Sequence, residues 1–268
     1  MDADAIATKV VSSLASHRQI SAFSQSPGGL SVADAYRVTP LLRSAFEARG
    51  ETIVGRKIGF TNRRMWAAHG VQEPIWGYCA NRTTFELDKT PVQHVGDFAE
   101  PRIEPEIMFG LGKAPEPHGD ETALLACIDW IALGYEVVQS IYPGWKFAAS
   151  DTIAANALHG ALLVGRRHAV APRQEIWRRE LASFGVELYC NGTLSQSGGG
   201  ALVLDSPLLA LRHLVELLAK DRRNPPLQAG EIVSTGTLTL AMPVQAGQSW
   251  TTKALGIPLE DINLRFEA

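Results

Sequence analysis

Three glutamates raise the first chemical question. Glu104 and Glu106 lie in "EPRIEPEIMFG" (100–110), which reads as a strand because Ile103, Ile107 and Phe109 are apolar and share one face. Side chains alternate across a strand, so two carboxylates two residues apart point to the same side. Like charges so placed repel, and need a cation or a proton between them. Glu136 sits inside the apolar run "IALGYEVVQS", where a charge is excluded unless it has a partner. Together the three make an all-oxygen donor set suited to Mg²⁺ or Mn²⁺, which leave positions open for a substrate. A plainer arrangement uses the same residues: Glu104 and Glu106 on a solvated face, Glu136 paired with an arginine. Spacing alone leaves both open, because E-x-E is common and a third glutamate is easily found.

Other candidates are single residues. Lys57 in "GRKIGFTN" (55–62) lies in an apolar run between glycines. Desolvation there lowers an amine pKa, as an acid–base lysine requires, although an exposed strand lysine fits too. "KFAASDTIAANALHG" (146–160) offers Asp151 and Asn156 among small residues that let a ligand approach closely. "STGT" (234–237) offers hydroxyls and backbone N–H groups suited to a carboxylate, and a generic turn has the same composition. The seven histidines show no HxH or HExxH spacing, which argues against zinc. No GxSxG elbow or GxxxxGK[ST] loop occurs. "SGGGALVL" (197–204), lacking a following lysine or a Rossmann pattern, reads as a flexible turn.

The elements that must position these residues follow from composition and periodicity. The chain of 268 residues, 46% apolar and 20% charged, suits one large domain or a large domain with a small helical appendage. A net charge of −3 gives no electrostatic case for nucleic acid or a membrane surface. The N-terminus lacks a signal-peptide pattern, and no run of about 18 apolar residues exists to span a membrane. Three scattered cysteines, Cys79, Cys127 and Cys190, read as free thiols in a reducing cytoplasm. Residues 1–50 read as a helical N-terminal part: Ile6, Val10, Val11 and Leu14 recur at helical spacing. A second helix starts at Ser31 with Asp34 completing a capping box, buries Ala35, Val38, Leu42 and Phe46, and should kink at Pro40. Short β runs dominate residues 51–268. Helical texture returns at about 120–133 ("ETALLACIDWIALG") and at 207–220 ("PLLALRHLVELLAK"). An α+β fold with a heavily bent β core follows.

"GRKIGFTN", "PRIEPEIMF", "ALGYEVV", "DTIAANA" and "VSTGTLT" occur in this order. The ordered set resembles the fumarylacetoacetate hydrolase superfamily, from about Ser31 to the C-terminus. Within it, the set is most similar to the 2-hydroxypentadienoate (2-oxopent-4-enoate) hydratases and 4-oxalocrotonate decarboxylases of aromatic catabolism. The resemblance implies a mixed β-roll catalytic core with a helical N-terminal part. It implies one Mg²⁺ or Mn²⁺ on Glu104, Glu106 and Glu136, with Lys57 and Asp151 as proton-transfer groups. Ile75, Trp76, Asn156, Thr235 and Gly236 become candidate substrate contacts. Hydratases of this branch carry an acid where Ile75 stands, and "PIWG" (74–77) looks more like the decarboxylase form. Ala155 also replaces an acid, whereas Asp151 resembles the hydratase form. The implied activity is hydration of a 2-hydroxydienoate or unsaturated 2-oxo acid, with decarboxylation as the alternative and a non-catalytic subunit as a third. A homo-oligomer is implied as well, with room for a complex with a pathway enzyme.

Overall fold

The computed structural model describes residues 2–66 and 71–268. Two helices open the chain, α1 (Ala3–Ser16) and α2 (Val32–Ala48). Ser31 Oγ accepts from the Asp34 backbone N–H at 3.1 Å and caps α2 as the sequence pattern predicts. The stripe Ala35, Val38, Leu42 and Phe46 is buried, and α2 runs on through Pro40.

The strands β1 (Ile53–Gly59), β2 (Ile75–Ala80), β3 (Thr84–Glu86), β4 (Val92–His94) and β5 (Arg102–Leu111) follow. Next come α3 (Glu121–Leu125), β6 (Ile128–Val138), α4 (Ala149–Ala154), β7 (His159–Val164) and β8 (His168–Ala169). Then α5 (Gln174–Ser183), β9 (Gly185–Cys190), β10 (Thr193–Gly199) and α6 (Pro207–Lys220) precede β11 (Ile232–Thr237). The chain closes with β12 (Met242–Pro243), β13 (Ser249–Leu255) and β14 (Ile262–Glu267).

A mixed sheet carries the order β2-β1-β11-β5-β6-β7-β3, with β12 on β5 and β8 on β6. Its β1–β11 and β3–β7 pairs are parallel, and its other pairs antiparallel. A second sheet runs β10-β9-β13-β14-β4. The fold is thus mixed, with helices at the N-terminal end, as the sequence and the resemblance predict. One apolar core joins α1 and α2 to both sheets: Val10, Val38 and Leu42 share it with Tyr78, Phe109 and Leu264.

The helix expected over about 120–133 is a correction. Only α3 is helical there, and the remainder is the long strand β6. Neighbouring strands flank β6 on both edges and its faces are covered, so Ile131, Ala132, Leu133, Tyr135 and Val137 are all buried. A strand buried on both faces reads as a continuous apolar run, which periodicity cannot tell from a buried helix.

β5 is similar. Ile103, Ile107 and Phe109 are fully buried, and each contributes about 1.5–3 kcal/mol. That packing anchors the strand which must hold two carboxylates side by side. Among the described residues, no helix is long and apolar enough to cross a membrane.

Candidate metal centre and substrate cavity

Glu104 and Glu106 come from β5, and Glu136 from β6. The antiparallel register sets Glu104 directly opposite Glu136, and Glu106 opposite Gly134. Alternation turns all three side chains to one face, where one carboxylate oxygen from each lies within 4.8 Å of the others. Glu106 and Glu136 are fully buried, while Glu104 is half-buried at the wall of a cavity.

The cluster strains its own electrostatics. Burial pushes the Glu104 carboxyl up to about 7, with Lys57 pulling it down and Glu136 pushing it further up. Burial, then Glu136 and Glu104, raise Glu106 well above the ordinary carboxylate range. At Glu136 burial works against ionisation, but Lys57 and His159 outweigh it and hold that carboxyl below its usual value. Glu106 Oε1 is buried without a hydrogen-bond partner among the described residues. Leaving a carboxylate oxygen so placed is costly. An all-oxygen donor set with one unpartnered oxygen and excess negative charge fits a hard divalent cation.

Neighbouring elements hold each carboxylate. Ser234 Oγ donates to Glu106 Oε2 at 2.5 Å, and the Gly236 backbone N–H donates to the same oxygen at 2.9 Å. An irregularity in the β11–β5 register lets two residues of β11 reach one carboxylate. Gly236 adopts φ +102°, a conformation glycine takes without strain.

Lys57 Nζ lies 3.0 Å from Glu136 Oε2 and donates to the Ala157 carbonyl at 3.0 Å. That carbonyl is presented by three successive left-handed residues, Asn156, Ala157 and Leu158, with φ of 54°, 52° and 63°. Such conformations cost about 1–2 kcal/mol each outside glycine. Asn156 offsets this by clamping Tyr78, accepting from its N–H at 2.8 Å and donating to its carbonyl at 2.9 Å. The lysine departs from its sequence expectation. Burial alone lowers its pKa, but Glu136, Glu104 and Glu106 together hold it above the ordinary value, so the amine stays protonated.

The cavity beside this cluster has a volume of about 420 Å³, and Lys57, Glu104 and Ile75 line it. Strand alternation explains which predicted contacts reach it. Lys57 pairs with Gly77, and Gly59 with Ile75, on the cavity side. Arg56, paired with Tyr78, and Trp76, paired with Ile58, take the other face. There Trp76 is buried, stacks on Tyr36 and does not line the cavity.

Asp151 is not in the lining either. Its carboxylate accepts from Ser24 N–H at 2.9 Å, Ser24 Oγ at 2.5 Å and Ala148 N–H at 2.8 Å, which ties the N-terminal segment to the first turn of α4. Thr235 Oγ1 donates to the Ile107 carbonyl. The "STGT" turn does receive a carboxylate, but it is that of Glu106. Asn156 and Gly236 therefore shape the site from behind, and the threonines on the wall are Thr61, Thr237 and Thr239.

Sequence reasoning missed His159, whose Nδ1 lies 2.8 Å from Glu136 Oε1 and whose Nε2 lies 2.9 Å from Thr83 Oγ1. Its place depends on the β6–β7 register, which carries no motif. It also missed Arg102, although the alternation that aligns Glu104 with Glu106 puts Arg102 on the same face.

The chain is similar to known proteins over most of its length. The model of the fumarylacetoacetate (FAA) hydrolase C-terminal family matches residues 53–258. A 4-oxalocrotonate decarboxylase of Pseudomonas sp. (strain CF600) is 32% identical over 231 residues, covering 85% of this chain and 83% of the relative. A 2-hydroxyhexa-2,4-dienoate hydratase of Comamonas testosteroni is 28% identical over 240 residues, covering 89% and 88%. The solved 4-oxalocrotonate decarboxylase from Pseudomonas putida G7, complexed with magnesium and adipate, superposes with a TM-score of 0.87 at 30% identity, covering 98% of this chain and 97% of that one.

Proposed function

We propose that this chain, which belongs to the fumarylacetoacetate hydrolase family, is a divalent-metal-dependent lyase that hydrates an unsaturated 2-oxo acid presented as its 2-hydroxydienoate. The convergence of Glu104, Glu106 and Glu136 on one point, with Lys57 against them at the head of a single cavity, carries the reading. Mg²⁺ or Mn²⁺ held by the three glutamates would supply Lewis-acid stabilisation of negative charge on the substrate's C2 oxygen.

The chain's own residues do the rest. Lys57 holds a proton at Nζ and is kept on station by Glu136 and the Ala157 carbonyl. It is the group placed to deliver that proton to the carbon skeleton as the dienol becomes the conjugated ketone. Ile75, Val138 and Leu158 form an apolar wall that excludes bulk water. Thr237 and Thr239 offer the hydroxyls that can orient one water for addition. Asp151 has no part in this scheme, because three donors inside the scaffold already occupy its carboxylate.

Decarboxylation is the second reading. The observation favouring it is that Ile75 lines the cavity while Asp151 does not, which leaves that wall without a carboxylate base for water. The relatives include both activities. A location in a reducing cytoplasm suits the three free thiols.

The experiment is a product assay with Mg²⁺ on a 2-hydroxydienoate and on its carboxylated homologue, read by mass. A hydrated product from the dienoate supports the first reading. Release of CO₂ from the homologue without any hydration establishes the second. Inertness toward both, with the metal bound, overturns the lyase reading.

A further inference from the structure

Two buried carboxylate oxygens of the site, Glu106 Oε1 and Glu136 Oε2, have no hydrogen-bond partner among the described residues. Their companions are both held. Ser234 and Gly236 donate to Glu106 Oε2, and His159 Nδ1 lies 2.8 Å from Glu136 Oε1. Each of these glutamates therefore has one oxygen tied to the scaffold and one left over. A pairing that served packing alone would satisfy both oxygens. Here the second oxygen is left bare inside a cluster of three acids, with the Lys57 ammonium 3.0 Å away as an ion pair.

The tie on Glu136 runs further back than the tie on Glu106. His159 Nε2 lies 2.9 Å from Thr83 Oγ1, in the turn Asn81–Thr83 between β2 and β3. Both ring nitrogens are thus engaged, which fixes the plane of the imidazole. A carboxylate only accepts, so Nδ1 carries the hydrogen of the Glu136 bond. A hydroxyl both donates and accepts, so Thr83 can meet Nε2 in either sense. The Ala80 carbonyl, 3.2 Å from Thr83 Oγ1, holds that hydroxyl in place. Gln139 fixes the backbone at the ring, its N–H donating to the Leu158 carbonyl at 2.9 Å and its Nε2 to the His159 carbonyl at 3.3 Å. An irregularity in the β6–β7 register sets His159 opposite Val138, two residues from Glu136 along β6. Thr83 itself is half-buried and lines no part of the cavity.

We propose that Thr83 is a positioning residue of the metal centre, acting through His159 to hold Glu136 Oε1 so that Oε2 is the oxygen given to the cation. The inference rests on the reading that the three glutamates hold one divalent ion. It adds which oxygen of Glu136 is used, and the residue two hydrogen bonds away that decides it.

The test measures Mn²⁺ binding by calorimetry to metal-free wild type, Thr83→Val, Thr83→Ala and Thr83→Ser, each checked for folding by circular dichroism. Thr84→Val is the control, since the neighbouring Thr84 hydroxyl has no hydrogen-bond partner among the described residues. Removing a group that hydrogen-bonds a metal ligand weakens metal binding roughly 10–100-fold, and Thr83 stands one bond further out. Thr83→Val and Thr83→Ala should each weaken Mn²⁺ about threefold to tenfold, the range of one neutral hydrogen bond. Thr83→Ser should recover the loss, and Thr84→Val should match wild type. A second readout needs no metal. The proton signal of the His159 ring N–H, assigned by its absence from His159→Asn, should exchange faster with water in Thr83→Val and Thr83→Ala, but not in Thr83→Ser.

Wild-type Mn²⁺ affinity in a folded Thr83→Val or Thr83→Ala protein overturns the inference. A loss that Thr83→Ser fails to recover, or that Thr84→Val shares, does so too. Weakened Mn²⁺ binding with unchanged exchange of the ring N–H also overturns it, because the effect then bypasses His159. These outcomes leave the three-glutamate reading standing, since the wild type still binds the ion. A wild type that binds no Mn²⁺ overturns that reading, and the inference with it.

Discussion

Replacing Gly236 with alanine should damage folding and metal binding together, because one backbone position serves both. At φ +102° an L side chain is strained, at a cost of about 1–3 kcal/mol. The added Cβ would also meet Thr61 Oγ1 at 2.0 Å, with Thr61 Cγ2 at 2.9 Å and Cβ at 3.0 Å. Thr61 is 2% exposed and cannot swing into solvent, so overpacking adds about 1–3 kcal/mol. A loss of about 2–6 kcal/mol in urea unfolding is expected. The bulge must shift to accommodate the methyl, and the Gly236 N–H then leaves Glu106 Oε2. Losing a hydrogen bond to a charged group costs about 1.5–3 kcal/mol, so Mn²⁺ affinity should fall roughly tenfold to a hundredfold. Thr61→Ala in the same chain should recover part of the stability, since it removes the 2.0 Å contact but not the backbone strain. A Gly236→Ala protein with Mn²⁺ affinity within about twofold of wild type would refute the claim that this bulge holds Glu106.

Three further outcomes are expected. His159→Ala removes the Nδ1 partner of Glu136 Oε1 and should lower Mn²⁺ affinity about 10–100-fold, with His159→Asn losing less; unchanged affinity in both would make the histidine a bystander. Lys57→Met should cut kcat by about 10²–10⁴ while Mn²⁺ still binds, and full turnover in that variant would remove the lysine from proton transfer. In the metal-free protein the folded-state pKa of Glu104, about 7, lies above its ordinary value of 4.5. The folded state therefore holds more protons between those limits, and stability falls as pH rises through that window. Thermal unfolding of chelator-treated protein should show a lower Tm at pH 8 than at pH 5.5, with Mn²⁺ giving the larger gain at pH 8. A Tm that rises across the window would contradict the crowding of these carboxylates.

The part of the site legible in the sequence was the part governed by a single strand. Alternation alone aligned Glu104 with Glu106, and the apolar run around Glu136 signalled that it needed partners. Alternation also speaks against Ile75 and Trp76 sharing a cavity, and the β1–β2 register divides them as that rule requires. What depended on contacts between distant segments was not legible. Ser24 reaches Asp151 across 127 residues and turns a candidate base into a structural tie. His159 meets Glu136 through the strand register, and the "STGT" turn meets Glu106 across 130 residues of chain. The pKa of Lys57 followed from the same cause. Its burial was foreseeable, but the three opposing carboxylates that reverse the shift became neighbours only through folding. Among the elements, α6 was legible from its amphipathic period, whereas β6 was hidden by burial on both faces.

The account stands or falls on one cation shared by three glutamates. Anomalous diffraction from crystals grown with Mn²⁺ tests this directly, because the signal locates the ion without any assumption about activity. A single strong peak bonded to one oxygen each of Glu104, Glu106 and Glu136, and absent in Glu106→Gln crystals grown alike, is the predicted result. A peak elsewhere in the fold, or an unchanged peak in the Glu106→Gln crystals, would contradict the account.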